Sequence, residues 1–334
     1  MDENKAMDAD RRAAEAQARE RKRERRRRIF SRFAKVVTGF VVVSLTATEA
    51  MMFVMFGRTT PAVDAPFPIE DWAARNDCAF RPFEFMSGGN RLKGYAISGP
   101  DPRALMIVVH GIKSSSDAFE PIVKRYVGEG YAVLTFDGTA SGRSEGSRTV
   151  GLQQQSQDLR ALLDYAREEN LYQDLPLVLF GHSAGAYGVA VEAGRAGARA
   201  AVCISGFESP LKTMRFWADH YAGMLTNIEY PFLWLREHAV KGRDANVSGS
   251  AAVLASGIPT LVVHGAADDV IRQEISLYEA LIEKNAPNVE CLLEDAHDFC
   301  GHSDILIAGD RMNETLLDYI DGFLSSQIDL QRDS

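Results

Sequence analysis

The stretch LPLVLFGHSAGAYG, residues 175–188, interrupts an apolar run with Gly-His-Ser-Ala-Gly. Leu177 to Phe180 reads as a short buried strand. Gly181 and Gly185 fit a plain turn after such a strand. The pattern G-x-S-x-G has a sharper meaning, a nucleophile elbow. There a serine stands on a strained strand-to-helix turn with its hydroxyl exposed. The two glycines let neighbouring chain pass where a Cβ would clash. Ser183 is then a candidate nucleophile. A serine hydroxyl is a poor nucleophile near neutral pH, so it needs a base, and the base needs an orienting carboxylate.

Two later strand-like runs end in suitable groups. TLVVHG is followed by Ala-Ala-Asp268-Asp269, and VECLLED by Ala296-His297. Ser183, Asp268 and His297 therefore occur in the order nucleophile, acid, base, each at the end of its own strand. Asp269 is a rival acid or a helix cap. His302 is a near rival for the base.

The elements around these residues alternate. ALMIVVHG, AVLTFD, LPLVLFG, AAVCISG, TLVVHG and VECLLED read as strands. DAFEPIVKRYVGEG, Val150–Asn170, the small run after Ser183, SLYEALIEKN and TLLDYIDGFL read as helices. Gly88-Gly89-Asn90 between RPFEFMS and RLKGYAIS marks a hairpin. Strand–helix alternation predicts a mostly parallel sheet covered on both faces, with ligands bound at the carboxyl ends of its strands.

With these residues in view, residues 80–326 resemble an α/β-hydrolase. The nearest branch contains monoacylglycerol lipases, lysophospholipase-like esterases and proline-iminopeptidase-like enzymes. The resemblance rests on His110-Gly111-Ile112, the Asp137–Ser144 loop, Gly181-His182-Ser183-Ala184-Gly185, His264-Gly265-Ala266-Ala267-Asp268 and Ala296-His297. It implies that the backbone N–H groups of Ile112 and Ala184 form the oxyanion hole. It also selects Asp268 over Asp269, and it implies no cofactor and no metal. Thr139-Ala140 and Ala186 depart from the commoner family pattern without removing a reacting group. The implied activity is serine hydrolysis of carboxylic esters through an acyl-enzyme. Aminopeptidase, thioesterase or acyltransferase chemistry uses the same triad, and a catalytically inactive tethered binding module is the remaining alternative.

Residues 207–257 form an insert at the position where this fold carries a cap. Twelve large apolar residues lie between Phe207 and Trp234. They predict an apolar acyl pocket and hence a fatty ester, lysolipid or monoacylglycerol as substrate.

The 334-residue chain carries a net charge of −9, unevenly spread. Residues 1–35 hold 13 Lys+Arg against 7 Asp+Glu, and the rest hold 24 against 39. An acidic globular part repels phosphates and excludes nucleic acid as substrate. Val36 to Phe56 is a 21-residue apolar stretch with one charge, Glu49. It is long enough for a single span of a bilayer. A cleaved signal peptide fits less well, because the basic arm before it is long and apolar residues continue past Ala50. The expected organisation is a basic cytoplasmic arm (1–35), a transmembrane anchor (36–56), a linker (57–79), the hydrolase domain (80–326) and a tail (327–334). The positive-inside bias places the catalytic domain on the outer face of the cell membrane. Cys291 and Cys300 flank His297, and the sequence is consistent either with a disulfide between them or with free thiols.

Overall fold

The computed structural model describes residues 2–58 and 65–329. The chain divides into two units, one running to Met51 and the other starting at Met52.

The first unit is almost all of α1, a 55-residue helix over Asp2–Phe56. Its first 35 residues are rich in Ala, Glu, Lys and Arg, all strong helix formers. Apolar side chains from Ile29 onward, including Phe30, Phe33, Val36, Phe40 and Val43, stand exposed. The predicted arm and anchor are thus one continuous helix, and that helix is long and apolar enough to cross a membrane.

The second unit is built on an eight-stranded sheet. The elements follow as α2 (Ile69–Arg75), β1 (Ala79–Ser87), β2 (Asn90–Ser98), β3 (Ala104–Val109), α3 (Glu120–Gly128) and β4 (Tyr131–Phe136). Then come α4 (Gln154–Glu168), β5 (Leu177–His182), α5 (Ala184–Ala196), β6 (Ala200–Ile204), α6 (Pro210–Ala222), α7 (Thr226–Lys241) and α8 (Gly249–Ser256). The chain closes with β7 (Thr260–Gly265), α9 (Leu277–Ile282), β8 (Val289–Glu294), a two-residue pair β9 (Ile307–Ala308) and β10 (Arg311–Met312), and α10 (Glu314–Asp329). The sheet order is β1-β2-β4-β3-β5-β6-β7-β8. The Gly88-Gly89 hairpin makes β1 and β2 antiparallel, β2 is antiparallel to β4, and the other pairings are parallel.

The central strands β3 to β7 are mostly apolar because both faces of the sheet are covered there, whereas the edge strands β1 and β8 include exposed residues. Met106 and Val108 of β3 join one buried cluster with Ile122 and Tyr126 of α3 and Leu317 and Ile320 of α10. Leu105, Ile107 and Val109, on the opposite face, join Leu159 and Leu162 of α4 and Val189 of α5.

Three expected boundaries move. The stretch expected as a linker is in good part structured. Phe67, Ile69 and Ala73 enter the core, so the catalytic body begins before residue 80. The chain just after α1 is fastened as well. Gly57 bridges Arg148, and Arg58 donates to the carbonyls of Ser144 at 2.8 Å and Gly142 at 2.5 Å. The expected span also loses its last turn, because Met52 and Phe56 lie in an apolar cluster of the catalytic unit. The stretch left outside that unit is Val36 to Met51. Finally, the cap is narrower than the insert. It comprises α6 and α7, whereas Val253 of α8 packs in the cluster beside α5.

Candidate active site

β5 delivers Ser183 to the carboxyl edge of the sheet between β3 and β6. Ser183 has φ 57° and ψ −121°, a conformation that costs a non-glycine residue about 1–3 kcal/mol. The turn holds because nothing larger than glycine fits around it. A Cβ on Gly185 would lie 2.1 Å from the carbonyl oxygen of Val109, and one on Gly181 would lie 2.5 Å from the Gly185 backbone. Ser183 N–H donates to the carbonyl of Ile204 at 2.8 Å, pinning the elbow to β6.

His302, not His297, completes the constellation. His302 Nε2 lies 2.9 Å from Ser183 Oγ, and His302 Nδ1 lies 2.7 Å from Asp268 Oδ2. With Asp268 ionised, Nδ1 carries the proton and donates it to the carboxylate, which leaves Nε2 to accept from the serine hydroxyl. Asp268 accepts through its other oxygen from the N–H groups of Val270 at 3.0 Å and Ile271 at 2.8 Å. Burial of Asp268 works against its charge. The His302 hydrogen bond and charge, with the Ile271 N–H, outweigh that and hold its pKa below the usual carboxylate value.

His297 was expected as the base, and the structure corrects this. Its side chain is fully exposed and meets Asp298 at 3.1 Å, with Asp298 in turn held by Arg311 at 2.8 Å. The reason lies in the path of the loop after β8. Ala267 N–H donates to the Cys300 carbonyl at 2.8 Å, and Gly265 has no Cβ, whose place would be 2.4 Å from that same oxygen. The loop therefore crosses tightly over the end of β7 at Cys300, and the residue turned inward is two positions later. His182, the variable residue of the elbow, fixes the second side. Its Nε2 lies 2.8 Å from the His302 carbonyl. Burial, and then the neighbouring His302, push the His182 pKa down to about 4, so its ring is neutral and donates. The signal available in the sequence was that His302 also follows β8; nothing in spacing alone separated it from His297.

Ile112 and Ala184, which the resemblance implied as oxyanion donors, both lie beside Ser183. Ala184 opens α5, so its N–H has no carbonyl partner within the helix. The Gly111-Ile112 turn lies against the serine, since a Cβ on Gly111 would be 3.0 Å from that of Ser183. His110 orders this turn from beneath. Its Nδ1 is 2.6 Å from the Gly111 carbonyl, and its Nε2 accepts from Gly138 N–H at 2.9 Å.

A cavity of about 410 Å³ opens at Ser183, lined by Ile112, Lys113, Phe119, His302, Leu306 and Ile307 among others. Among the described residues, none from the cap lines it. Phe207, Leu211, Met214 and Leu233 are buried in a cluster with Ala184 and Tyr187, and Phe216, Trp217 and Tyr230 pack against that cluster. Tyr221 and Met224 project outward, 85% and 88% exposed. The expectation that these aromatics line the pocket is thereby revised. Trp217 instead donates to the Val270 carbonyl at 3.0 Å, tying the cap to the turn that carries Asp268. All four cysteines are free thiols, which removes the Cys291–Cys300 disulfide alternative.

The sheet order and the serine at the end of β5 define an α/β-hydrolase. A family model described as serine aminopeptidase, S33, matches residues 100–229, the stretch from β3 into the cap. The solved structures agree on the fold. An esterase of Pyrococcus furiosus, Pf2001, superposes with a TM-score of 0.59 at 21% identity, over 81% of this chain and 98% of that one. Est1E of Butyrivibrio proteoclasticus, solved with ferulic acid bound, gives 0.52 at 18% identity, over 74% and 99%. TT1662 of Thermus thermophilus gives 0.52 at 18%, over 75% and 98%. No curated protein matches the sequence. The chain is a serine hydrolase of the α/β-hydrolase fold.

Proposed function

We propose that the protein hydrolyses carboxylic esters through an acyl-enzyme on Ser183, with His302 as general base and then general acid and Asp268 as its orienting carboxylate. The observation that carries this reading is the unbroken Ser183–His302–Asp268 hydrogen-bond chain at the strand ends. Ser183 Oγ attacks the ester carbonyl and passes its proton to His302 Nε2. The tetrahedral oxygen is met by the N–H groups of Ile112 and Ala184. His302 returns the proton to the leaving alkoxide, and water repeats the attack on the acyl-enzyme. Losing one oxyanion donor typically costs about 2.7–4 kcal/mol of transition-state stabilisation.

The substrate carries an apolar moiety, within the range from small fatty esters to lysolipids and monoacylglycerols. Phe119, Leu306 and Ile307 supply an apolar wall to the cavity. The description of the matching family raises peptide hydrolysis as a second reading. An aminopeptidase needs a carboxylate to receive the substrate ammonium, and among the described residues the cavity lining holds Lys113 and no Asp or Glu. That lining favours the ester.

The experiment is labelling with a fluorophosphonate, followed by turnover on a panel of p-nitrophenyl esters and aminoacyl anilides. Labelling lost in Ser183→Ala, with ester turnover well above anilide turnover, is the expected result. No labelling of folded protein would end the serine-hydrolase mechanism.

α1 serves as the membrane anchor in this reading, with the basic arm in the cytoplasm and the acidic catalytic unit outside. Protease added to intact cells should degrade the catalytic unit. Protection until lysis would reverse the orientation.

A further inference from the structure

Ser183 has two flanks, and they differ in what fills them. One flank is the cavity of about 410 Å³, and His302, Ser303, Leu306 and Ile307 are on it. The other is the apolar cluster that contains Ala184, Tyr187, Phe207 and Leu211, with Ile112, the wall shared with the cavity, packed against it. Two side chains from far away in sequence complete that cluster. Met52 and Phe56, at the end of α1, are only 1% and 3% exposed. They are four residues apart and so share one helix face. A remnant space of about 20 Å³ beside Phe56, His110 and Ile112 has room for no more than a water.

The chemistry assigns the flanks. His302 Nε2 must reach the leaving oxygen to protonate it, so the leaving alcohol lies on the side of His302, in the cavity. The carbonyl oxygen points at the N–H groups of Ile112 and Ala184, and the acyl group takes the remaining direction, past the Ile112 and Ala184 side chains toward the filled cluster. We infer that the last turn of α1 sets an acyl-length limit: Met52 and Phe56 occupy the space a long acyl chain would enter, so within the proposed range the enzyme takes short acyl groups on bulky apolar alcohols and not long-chain lysolipids or monoacylglycerols. This inference rests on the ester-hydrolase reading above. The seat of the turn is fixed, because Thr149 N–H donates to the Phe56 carbonyl at 2.9 Å, Arg58 N–H donates to the Ser147 carbonyl at 2.9 Å, and the Arg58 guanidinium holds Gly142 and Ser144.

The test uses the full chain in detergent. In the wild type, kcat/KM should fall along p-nitrophenyl acetate, butyrate, octanoate and dodecanoate, whereas acetates of ethanol, butanol and octanol should improve with alcohol length. Phe56→Ala should raise the octanoate-to-acetate ratio at least tenfold, since each CH₂ removed from water is worth about fourfold. Met52→Ala and Phe56→Leu should move it the same way by less, and they keep the test open if Phe56→Ala does not fold. Phe83→Ala truncates a buried phenylalanine of β1 in a different cluster and serves as the control for general loosening. An unchanged ratio in the folded variants, an equal rise in Phe83→Ala, or a wild type that prefers dodecanoate would overturn the inference. A short methylphosphonofluoridate separates the two failures. Labelled Ser183 with unmoved ratios sinks only the acyl limit, and an unlabelled Ser183 in the wild type sinks the ester-hydrolase reading itself.

Discussion

The loop after β8 carries two histidines five residues apart, and each has a carboxylate partner. At its outer end, His297 pairs with Asp298 in full solvent, and Arg311 holds the same carboxylate. At its inner end, His302 pairs with the buried Asp268 and faces Ser183. The two pairs look alike as residue types. What separates them is water. An exposed pair exchanges its hydrogen bonds with solvent and is worth little, whereas a desolvated pair fixes one geometry and one tautomer. Catalysis needs the second kind.

The widest gap between the two ends should appear in turnover. His302→Ala should lower kcat by about 10⁶-fold, the scale seen when the base of a triad is removed, and Ser183→Ala should lower it comparably. His297→Ala should stay within about threefold of wild type. Steady-state kinetics on one p-nitrophenyl ester decides this, and a dead His297→Ala beside an active His302→Ala would return the base to the outer end.

The carboxylates offer a sharper version. Asp268→Asn should cost about 10²–10⁴-fold in kcat with the fold retained, because the amide presents the wrong partner to His302 Nδ1. Asp298→Asn should leave kcat unchanged. Equal effects at the two positions would mean that burial does not distinguish the pairs.

The smallest expected effect is on stability against pH. His182, packed behind His302, has a folded pKa of about 4, below the ordinary value of about 6.5. Its stabilising contribution is complete above pH 6.5. As pH falls from 6.5 toward 4, the unfolded chain takes up a proton that the folded chain refuses, so Tm drops. His110 and His264, both shifted down chiefly by burial, act in the same direction. His182→Asn should flatten that part of the Tm–pH curve, measured by calorimetry at fixed ionic strength. A curve as steep as that of the wild type would show that His182 is not the group taking the proton.

Much of this was legible in the sequence because period and punctuation encode it. The apolar runs that became β3 to β7, the Gly88-Gly89 hairpin and the elbow at Ser183 are local patterns with local causes. The pair Asp268-Asp269 could be read because it follows β7, and the resemblance to α/β-hydrolases chose Asp268 between the two. His302 could not be separated from His297, because the choice depends on how Gly265 and Cys300 meet, a contact between β7 and a loop more than 30 residues later. Met52 and Phe56 misled for a related reason. An apolar helix end looks the same whether lipid or protein covers it, and only the clasp of Arg58 on residues 142–146 shows which it is. The cap aromatics gave a correct count of apolar side chains but carried no information on which cavity they face.

The backbone of Ser183 has an evolutionary consequence. A residue held at φ 57° is one the fold would rather exchange for glycine, which adopts that angle without strain. The nucleophile therefore sits at a position where stability and chemistry select different residues, and a lineage released from its substrate would drift there first. Inactive descendants of this protein should be recognisable by a loss at the elbow in a chain that melts later than its parent, with the sheet, the cap and the inner histidine still in place.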